Sequence, residues 1–272
     1  MHPRLIQFGH IAIPTSGVCV AIALIAALAM AAHTARRLAL DSNKIWNLGL
    51  IAILTTLLGS RLLLILFHLR DFLAHPFWML GLVSIRSQAV FCGAVLLAIC
   101  ACVSYILVVC LPLLRTLDCL APAAAFGLAI ASLGALAAGS DYGSPTDKPW
   151  GVVYKHGLAA LWSGTPLGIP LHPVQLYQAL ILFLLFALLL FWLPRRKHDG
   201  DLAAAFLFAY GLSLYFLDFY RGNRSYLFHG ALTVTQLLAI ALILAGAALS
   251  IRRKPPAPES HPLEHDSQTQ IR

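Results

Sequence analysis

A few polar side chains stand in stretches of this sequence that are otherwise apolar, and their types set the chemistry on offer. Arg61, in LLGSRLLLILF, is a permanent cation within a hydrophobic run, suited to anchoring an anionic group of a substrate. In YGLSLYFLDFYRGN, Tyr210, Leu214 and Asp218 recur every four residues and share a helix face, and Arg221, three residues on, is spaced to pair with Asp218. PLHPVQLYQALILF carries His172 ahead of a proline suited to a first helical turn, then Gln175 and Gln178 one turn apart, with Tyr177 between them. Each also has a plainer role open to it: Arg61 can snorkel to an interface, Asp218 and Arg221 can clamp a helix end, Tyr177 can sit in an aromatic belt, and His172 can cap a helix.

The elements that must position these groups follow from composition. The 272 residues are 60% hydrophobic and 11% charged, against roughly 45–50% and 25% in soluble domains. The chain therefore reads as all-α and polytopic in a membrane. A bilayer core of roughly 30 Å requires about 20 apolar residues per helix. Seven such runs are expected, at about 14–33, 47–69, 89–111, 119–139, 174–193, 202–220 and 231–251. The first span, with no cleavage signature before it, is expected to be a retained insertion signal. Residues 1–251 form the membrane domain, and the Pro-rich polar stretch 252–272 is expected to be a disordered tail.

The net charge of +8 does not point to nucleic acid, because the basic residues are spread among short loops. Arg36, Arg37, Lys44, Arg115, Arg195, Arg196, Lys197 and Arg252 to Lys254 fall on one side, which places the N-terminus outside and the C-terminus in the cytoplasm of a bacterial plasma (inner) membrane. Arg61, Asp218, Arg221 and the segment from His172 to Gln178 then share the outer half. Such convergence suits a site for an outer-leaflet lipid or an emerging peptide. The cytoplasmic half shows no matching polar path, which disfavours solute transport, and no inverted repeat is evident. Cys19, Cys92, Cys100, Cys102, Cys110 and Cys119 have no metal-ligand spacing and read as small apolar helix residues.

Between the fourth and fifth spans lies SDYGSPTDKPWGVVY. Gly139 and Gly143 allow positive φ or close backbone approach, and Pro145 and Pro149 forbid a continuing helix, so the fourth helix must end here. Trp150 and Tyr154 suit the membrane boundary. This stretch, followed by HPVQLYQA, resembles the prolipoprotein diacylglyceryl transferase family, which carries Y/W-G-x-P-T-D-x-P-W-G-V and then H-P-x-Q-L-Y-E. LLGSRLLLILF, DGDLAAAFLFAYGLSLYFLDFYRGN and LTVTQLLAIALILAG with Gln236 resemble further family blocks in the same order, over residues 14–251.

The resemblance implies a seven-helix inner-membrane enzyme that moves the diacylglyceryl group of phosphatidylglycerol to the lipobox cysteine thiol of a preprolipoprotein, releasing glycerol phosphate, with no metal or organic cofactor. It implies catalytic roles for Asp218, His172 and Tyr177, and substrate contacts from Arg61, Arg221, Gln175, Asp141, Tyr142 and Gly143. Arg61 would hold the phosphate, and Asp218 would orient Arg221. The chain also departs from the pattern. Where the family has G-R-x-G-N-F-x-N-G-E this sequence has ASLGALAAGS, so Ser132, Ala135 and Ser140 replace an arginine, an asparagine and an acid. Cys92 stands for the histidine of S-F-H-G-G, Leu214 for an arginine, Ser16 for the tyrosine of S-Y-G, and Gln178 for the acid of H-P-x-Q-L-Y-E. Two readings stay open: a divergent transferase, and a catalytically impaired or repurposed member that binds lipid or a membrane partner.

Overall fold

The computed structural model of the chain describes residues 4–8, 11–74, 88–224, 226–227 and 232–251. The tail 252–272 and Arg86 lie outside these residues, as does the side chain of Cys92. The long helices are α1 (Thr15–Arg37), α2 (Ser42–Phe67), α4 (Gln88–Val108), α5 (Leu113–Ala138), α7 (Val174–Trp192), α8 (Asp201–Asp218) and α9 (Val234–Ile251), with short helices α3 (Leu69–Ala74) and α6 (Gly157–Ser163) between them. Six of the long helices are long and apolar enough to cross a membrane; α4 is a further apolar helix, described with its side chains over Gly93–Val108. The chain is a multi-pass membrane protein.

The helices extend past the apolar runs where polar residues support their ends. α1 continues to Arg36 and Arg37, cations in its last turn that complement the helix dipole. α2 starts at Ser42 because Asp41 caps it, its carboxylate accepting from the amides of Asn43 and Lys44. α5 begins six residues before the apolar run and ends at Gly139, which takes the left-handed conformation (φ 79°) and donates back to Ala135 and Leu136. Three short antiparallel pairs, Arg4–Phe8 with Ile11–Pro14, Val152–Val153 with Pro170–Leu171, and Tyr226–Leu227 with Leu232–Thr233, flank the helix ends. The apolar pattern did not foreshadow them.

α1 lies along α5, α5 along α7, and α8 along α9; α2 pairs with α4 and meets the rest chiefly through α1. The core is built on alanines, Ala31, Ala35, Ala121, Ala123, Ala125 and Ala129, closed by Leu182, Leu185, Leu189, Leu202 and Phe206. Small side chains let membrane helices approach closely, where dispersion and interhelical hydrogen bonds replace the hydrophobic drive that lipid cannot supply. Thr34 supplies one such bond, its hydroxyl donating to the Cys119 carbonyl at 2.8 Å.

The apolar runs, with the fourth beginning at about 119, leave Asp218 as the one acid expected inside a span, and the structure adds another. Asp118 lies inside α5 and is fully buried, accepting from Arg196 at 2.8 Å and from the amides of Gly200 at 2.7 Å and Ala203 at 2.9 Å. Arg196 also pairs with Asp199, which pairs in turn with Arg115. Partial burial pulls the Asp199 carboxyl upward, but Arg115 and Arg196 more than offset this and hold it below its ordinary value. A carboxyl whose folded value is depressed contributes stability above its unfolded value, about 3.9, and loses it as pH falls through the folded value. The Asp199→Asn variant is therefore expected to be less stable than the parent at neutral pH, with the gap narrowing as pH falls from about 4 through the folded value; melting curves in detergent across that range check this.

Candidate functional site

The start of α1, the end of α5, the start of α7 and the segment after α8 meet at one end of the bundle. Between them lies a cavity of about 260 Å³ lined by Ser16 and Val20 of α1, Leu128, Ala131, Ser132 and Ala135 of α5, Ser140 and Asp141 of the following loop, Gln175 and Gln178 of α7, and Arg221. Five of these positions, Ser16, Ser132, Ala135, Ser140 and Gln178, are where the chain departs from the family pattern described above. These departures are thus gathered around one cavity rather than scattered.

Backbone pairing builds the rim. The Ser144 amide donates to Tyr220 at 2.8 Å, the His172 amide to Ser144 at 2.9 Å and the Gly222 amide to Tyr142 at 2.9 Å, so the polar loop is stitched to the starts and ends of two helices. Gly143 sits where a Cβ would collide with the carbonyl oxygen of His172 and crowd Val174. Because the obstacle is backbone, it has little room to yield. Gly143→Ala is expected to destabilise the fold by on the order of 1–3 kcal/mol and to loosen this loop; faster proteolysis between Ser140 and Trp150 is the readout. Asp141 lies at the mouth in a left-handed conformation (φ 53°) that aspartate tolerates.

Two polar atoms at this cavity have no hydrogen-bond partner among the described residues. Gln175 donates through its amide to the Ser140 carbonyl at 2.6 Å and to the Tyr154 hydroxyl at 3.3 Å, which leaves its Oε1 buried without a donor. Arg221 donates through Nη2 to Gln178 Oε1 at 3.3 Å, which leaves its Nε buried without an acceptor. The Tyr210 hydroxyl also engages Gln178. An occupant able to donate to Gln175 and accept from Arg221 would satisfy both; unmade hydrogen bonds of buried groups cost about 1–3 kcal/mol each. Arg221 is the only cation among the described lining residues.

The other expected site residues are placed differently. His172, Tyr177 and Trp150 form a chain beside the rim: Trp150 donates to the Tyr177 hydroxyl at 2.8 Å, and that hydroxyl lies 3.4 Å from His172 Nδ1. The His172 ring also packs edge-on against Tyr220, with centroids 5.3 Å apart. Asp218 does not form the expected ion pair with Arg221. Its carboxylate accepts instead from the Thr233 hydroxyl at 2.7 Å, and Thr233 and Gln236 exchange hydrogen bonds at 3.1 Å, tying α8 to the start of α9. Arg61 does not line the cavity; it lies on α2, six residues before that helix ends. Tyr154, expected at the membrane boundary, is buried, and burial pushes its phenol above the ordinary value. Gln178 and Tyr210 are the contributors that the sequence reading left without a role; the spacing of Gln178 from Gln175 was the available signal.

Comparison with known proteins fits this layout. A model of the prolipoprotein diacylglyceryl transferase family matches residues 3–252. The phosphatidylglycerol–prolipoprotein diacylglyceryl transferase of Finegoldia magna is 29% identical over 245 residues, covering 88% of this chain and 90% of its own length. That of Geobacter sulfurreducens is 29% identical over 264 residues, covering 93% and 96%. That of Bordetella parapertussis is 35% identical over 144 residues, 52% of each chain.

Proposed function

Because the chain belongs to the prolipoprotein diacylglyceryl transferase family, we propose that it transfers the diacylglyceryl group of phosphatidylglycerol to the cysteine thiol of a prolipoprotein. The reaction would take place at the outer face of a bacterial plasma membrane, with seven helices spanning the bilayer, the N-terminus outside and the C-terminus in the cytoplasm. The observation that carries this reading is the pair of opposite, unmet hydrogen-bond demands at one cavity, Gln175 Oε1 and Arg221 Nε. A glycerol phosphate headgroup brings hydroxyl donors for the first and phosphate oxygens for the second.

The step itself is a displacement. The thiol loses its proton, its sulfur forms a bond to the terminal glyceryl carbon, the bond from that carbon to the phosphate oxygen breaks, and glycerol phosphate leaves with the electron pair. Arg221 would hold the phosphate as its charge rises, with Gln178 fixing the guanidinium. His172, oriented by Tyr177 beside the rim, is the group we assign to take the thiol proton and return it to the leaving phosphate. Asp141, Tyr142 and Gly143 shape the mouth, and Asp218 keeps α8 and α9 in register. Arg61, in the same half of the membrane by its place on α2, is reserved for the anionic lipid as it approaches from the bilayer.

A second reading rests on the same cavity. Ser16, Ser132, Ala135 and Ser140 leave Arg221 without a second cation among the described lining residues, and loss of one transition-state donor typically costs about 2.7–4 kcal/mol. A repurposed lipid-binding member would look like this. Incubating the purified protein with phosphatidylglycerol and a lipobox peptide separates the two. A mass gain of one diacylglyceryl group on the cysteine is expected, and its absence beside an active relative would leave only lipid binding.

A further inference from the structure

A second concavity lies at the opposite end of the bundle. Between the end of α1 and the start of α2 is a cleft of about 560 Å³ whose polar lining is His33, Arg36, Ser42, Asn43 and Trp46, completed by Ala29 and Ala32. Ser16 of the site already described and Arg36 of this cleft are both on α1, twenty residues apart, which at 1.5 Å per residue is about 30 Å, the thickness of a bilayer core. The two hollows therefore face opposite leaflets, whichever way the chain is oriented.

Charge and shape describe an occupant. Segment 36–46 carries Arg36, Arg37 and Lys44 against one acid, Asp41. That acid is already turned onto the amides of Asn43 and Lys44, and Lys44 reaches away to the Val109 carbonyl. Among the described residues, nothing pairs with Arg36 or His33. The cleft also continues toward the membrane interior. One and two turns on from Ala29 along α1 stand Ile25 and Ile22, 64% and 52% exposed, and along α2 the spacing from Trp46 leads to Leu50 and Leu54, 38% and 52% exposed. A basic hollow with an indole at its edge, running into two parallel apolar stripes, has the form of a phospholipid: phosphate at the polar end, acyl chains along the stripes.

We propose that this cleft binds an anionic phospholipid of the leaflet opposite the candidate active site, with Arg36 on its phosphate and Trp46 at the headgroup boundary. The α2–α4 pair that carries Arg61 meets the rest of the bundle chiefly through α1, so a lipid seated here would brace that pair from the side. The proposal does not depend on the transfer reaction.

Trp46 supplies the probe. The protein is reconstituted with phosphatidylcholine or phosphatidylglycerol brominated on the upper acyl chain, and the Trp46→Phe variant is subtracted to isolate the quenching of that indole. Phosphatidylglycerol is expected to quench at a mole fraction roughly fivefold lower than phosphatidylcholine does, the worth of about one charge at a membrane surface. Arg36→Gln is expected to bring the two lipids together, and Arg36→Lys to keep them apart. Equal quenching in the parent, or a preference that survives Arg36→Gln, overturns the proposal. So does complete reversal by soluble glycerol phosphate at the lipid's own concentration, since that would mark a site for free phosphate. Arg221→Gln, at the other leaflet, leaves the preference intact, so failure of the transferase reading and failure of this one are told apart.

Discussion

Replacing Arg221 with alanine is expected to lower the rate of diacylglyceryl transfer by about 10²–10³, chiefly through kcat. A phosphodiester carries one negative charge, and breaking its bond to the glyceryl carbon builds a second on the phosphate before the proton held by His172 is returned. A guanidinium about 4 Å away gains roughly 4 kcal/mol per unit of new charge at an effective dielectric near 20. Partial charge development in the transition state takes a portion of that, which gives the stated range. Because the charge is absent from the bound substrate, the loss falls on kcat more than on KM. Arg221 is suited to this because no carboxylate is ion-paired with it among the described residues: Asp218 is committed to Thr233, and the side chain that Arg221 bonds at the cavity is the uncharged Gln178. Two further variants make the argument specific. Arg221→Lys keeps the charge and loses the planar fork, and is expected to recover part of the rate. Gln178→Glu keeps the side-chain length and adds an anion beside the guanidinium, and is expected to slow transfer although it adds a hydrogen-bond acceptor. A single-turnover assay with saturating phosphatidylglycerol reads both. Unchanged kcat in Arg221→Ala would remove this residue from the chemistry.

Much of this architecture was legible because a bilayer constrains sequence so strongly. All seven apolar runs coincide with helices, and the end of α5 at Gly139 follows from glycine and proline placement. Family resemblance carried from the SDYGSPTDKPWG stretch holds over residues 3–252. Part of the candidate cavity's lining was legible. Gln175, Asp141 and Arg221 do line one cavity, and Tyr142 and Gly143 frame its rim. Helix arithmetic failed at Asp218 and Arg221 for a physical reason. α8 ends at Asp218, so the three-residue spacing that brings side chains together on a helix no longer applies. The chain turns there, its backbone pairs with Gly143, and Asp218 is left to the hydroxyl of a residue fifteen positions on. Arg61 could not be placed by depth alone, because depth fixes a level in the membrane and not a direction around the helix. Likewise the departures at Ser16, Ser132, Ala135, Ser140 and Gln178 looked like separate losses in sequence; only packing shows that they line one cavity.

The largest effect on stability is expected at the other end of the bundle, from Asp118→Ala. Asp118 belongs to α5, yet it supplies the start of α8. Gly200, in a left-handed conformation (φ 98°), precedes α8 and has no side chain with which to cap it. The first amides of the helix would be left unmet near the membrane, and the carboxylate of Asp118 accepts two of them, from Gly200 and Ala203. Arg196, whose side chain is 16% exposed, balances the charge and is itself shared with Asp199. Pro122, one turn beyond Asp118 in α5, removes the amide that would ordinarily bind the Asp118 carbonyl, so the residue is held by its side chain. Removing that side chain leaves two buried donors orphaned and one cation short of a partner. Breaking a buried pair in this way costs about 3–5 kcal/mol. Asp118→Asn keeps one acceptor oxygen and is expected to cost less, and Asp199→Asn, at a side chain 34% exposed, less again. Cys119, fully buried beside Asp118, reports the outcome directly. Its labelling by a membrane-permeant maleimide, quantified by peptide mapping, should accelerate in the order Asp199→Asn, Asp118→Asn, Asp118→Ala. A flat series would mean that α8 is anchored by its packing on α9 rather than by the carboxylate at its start.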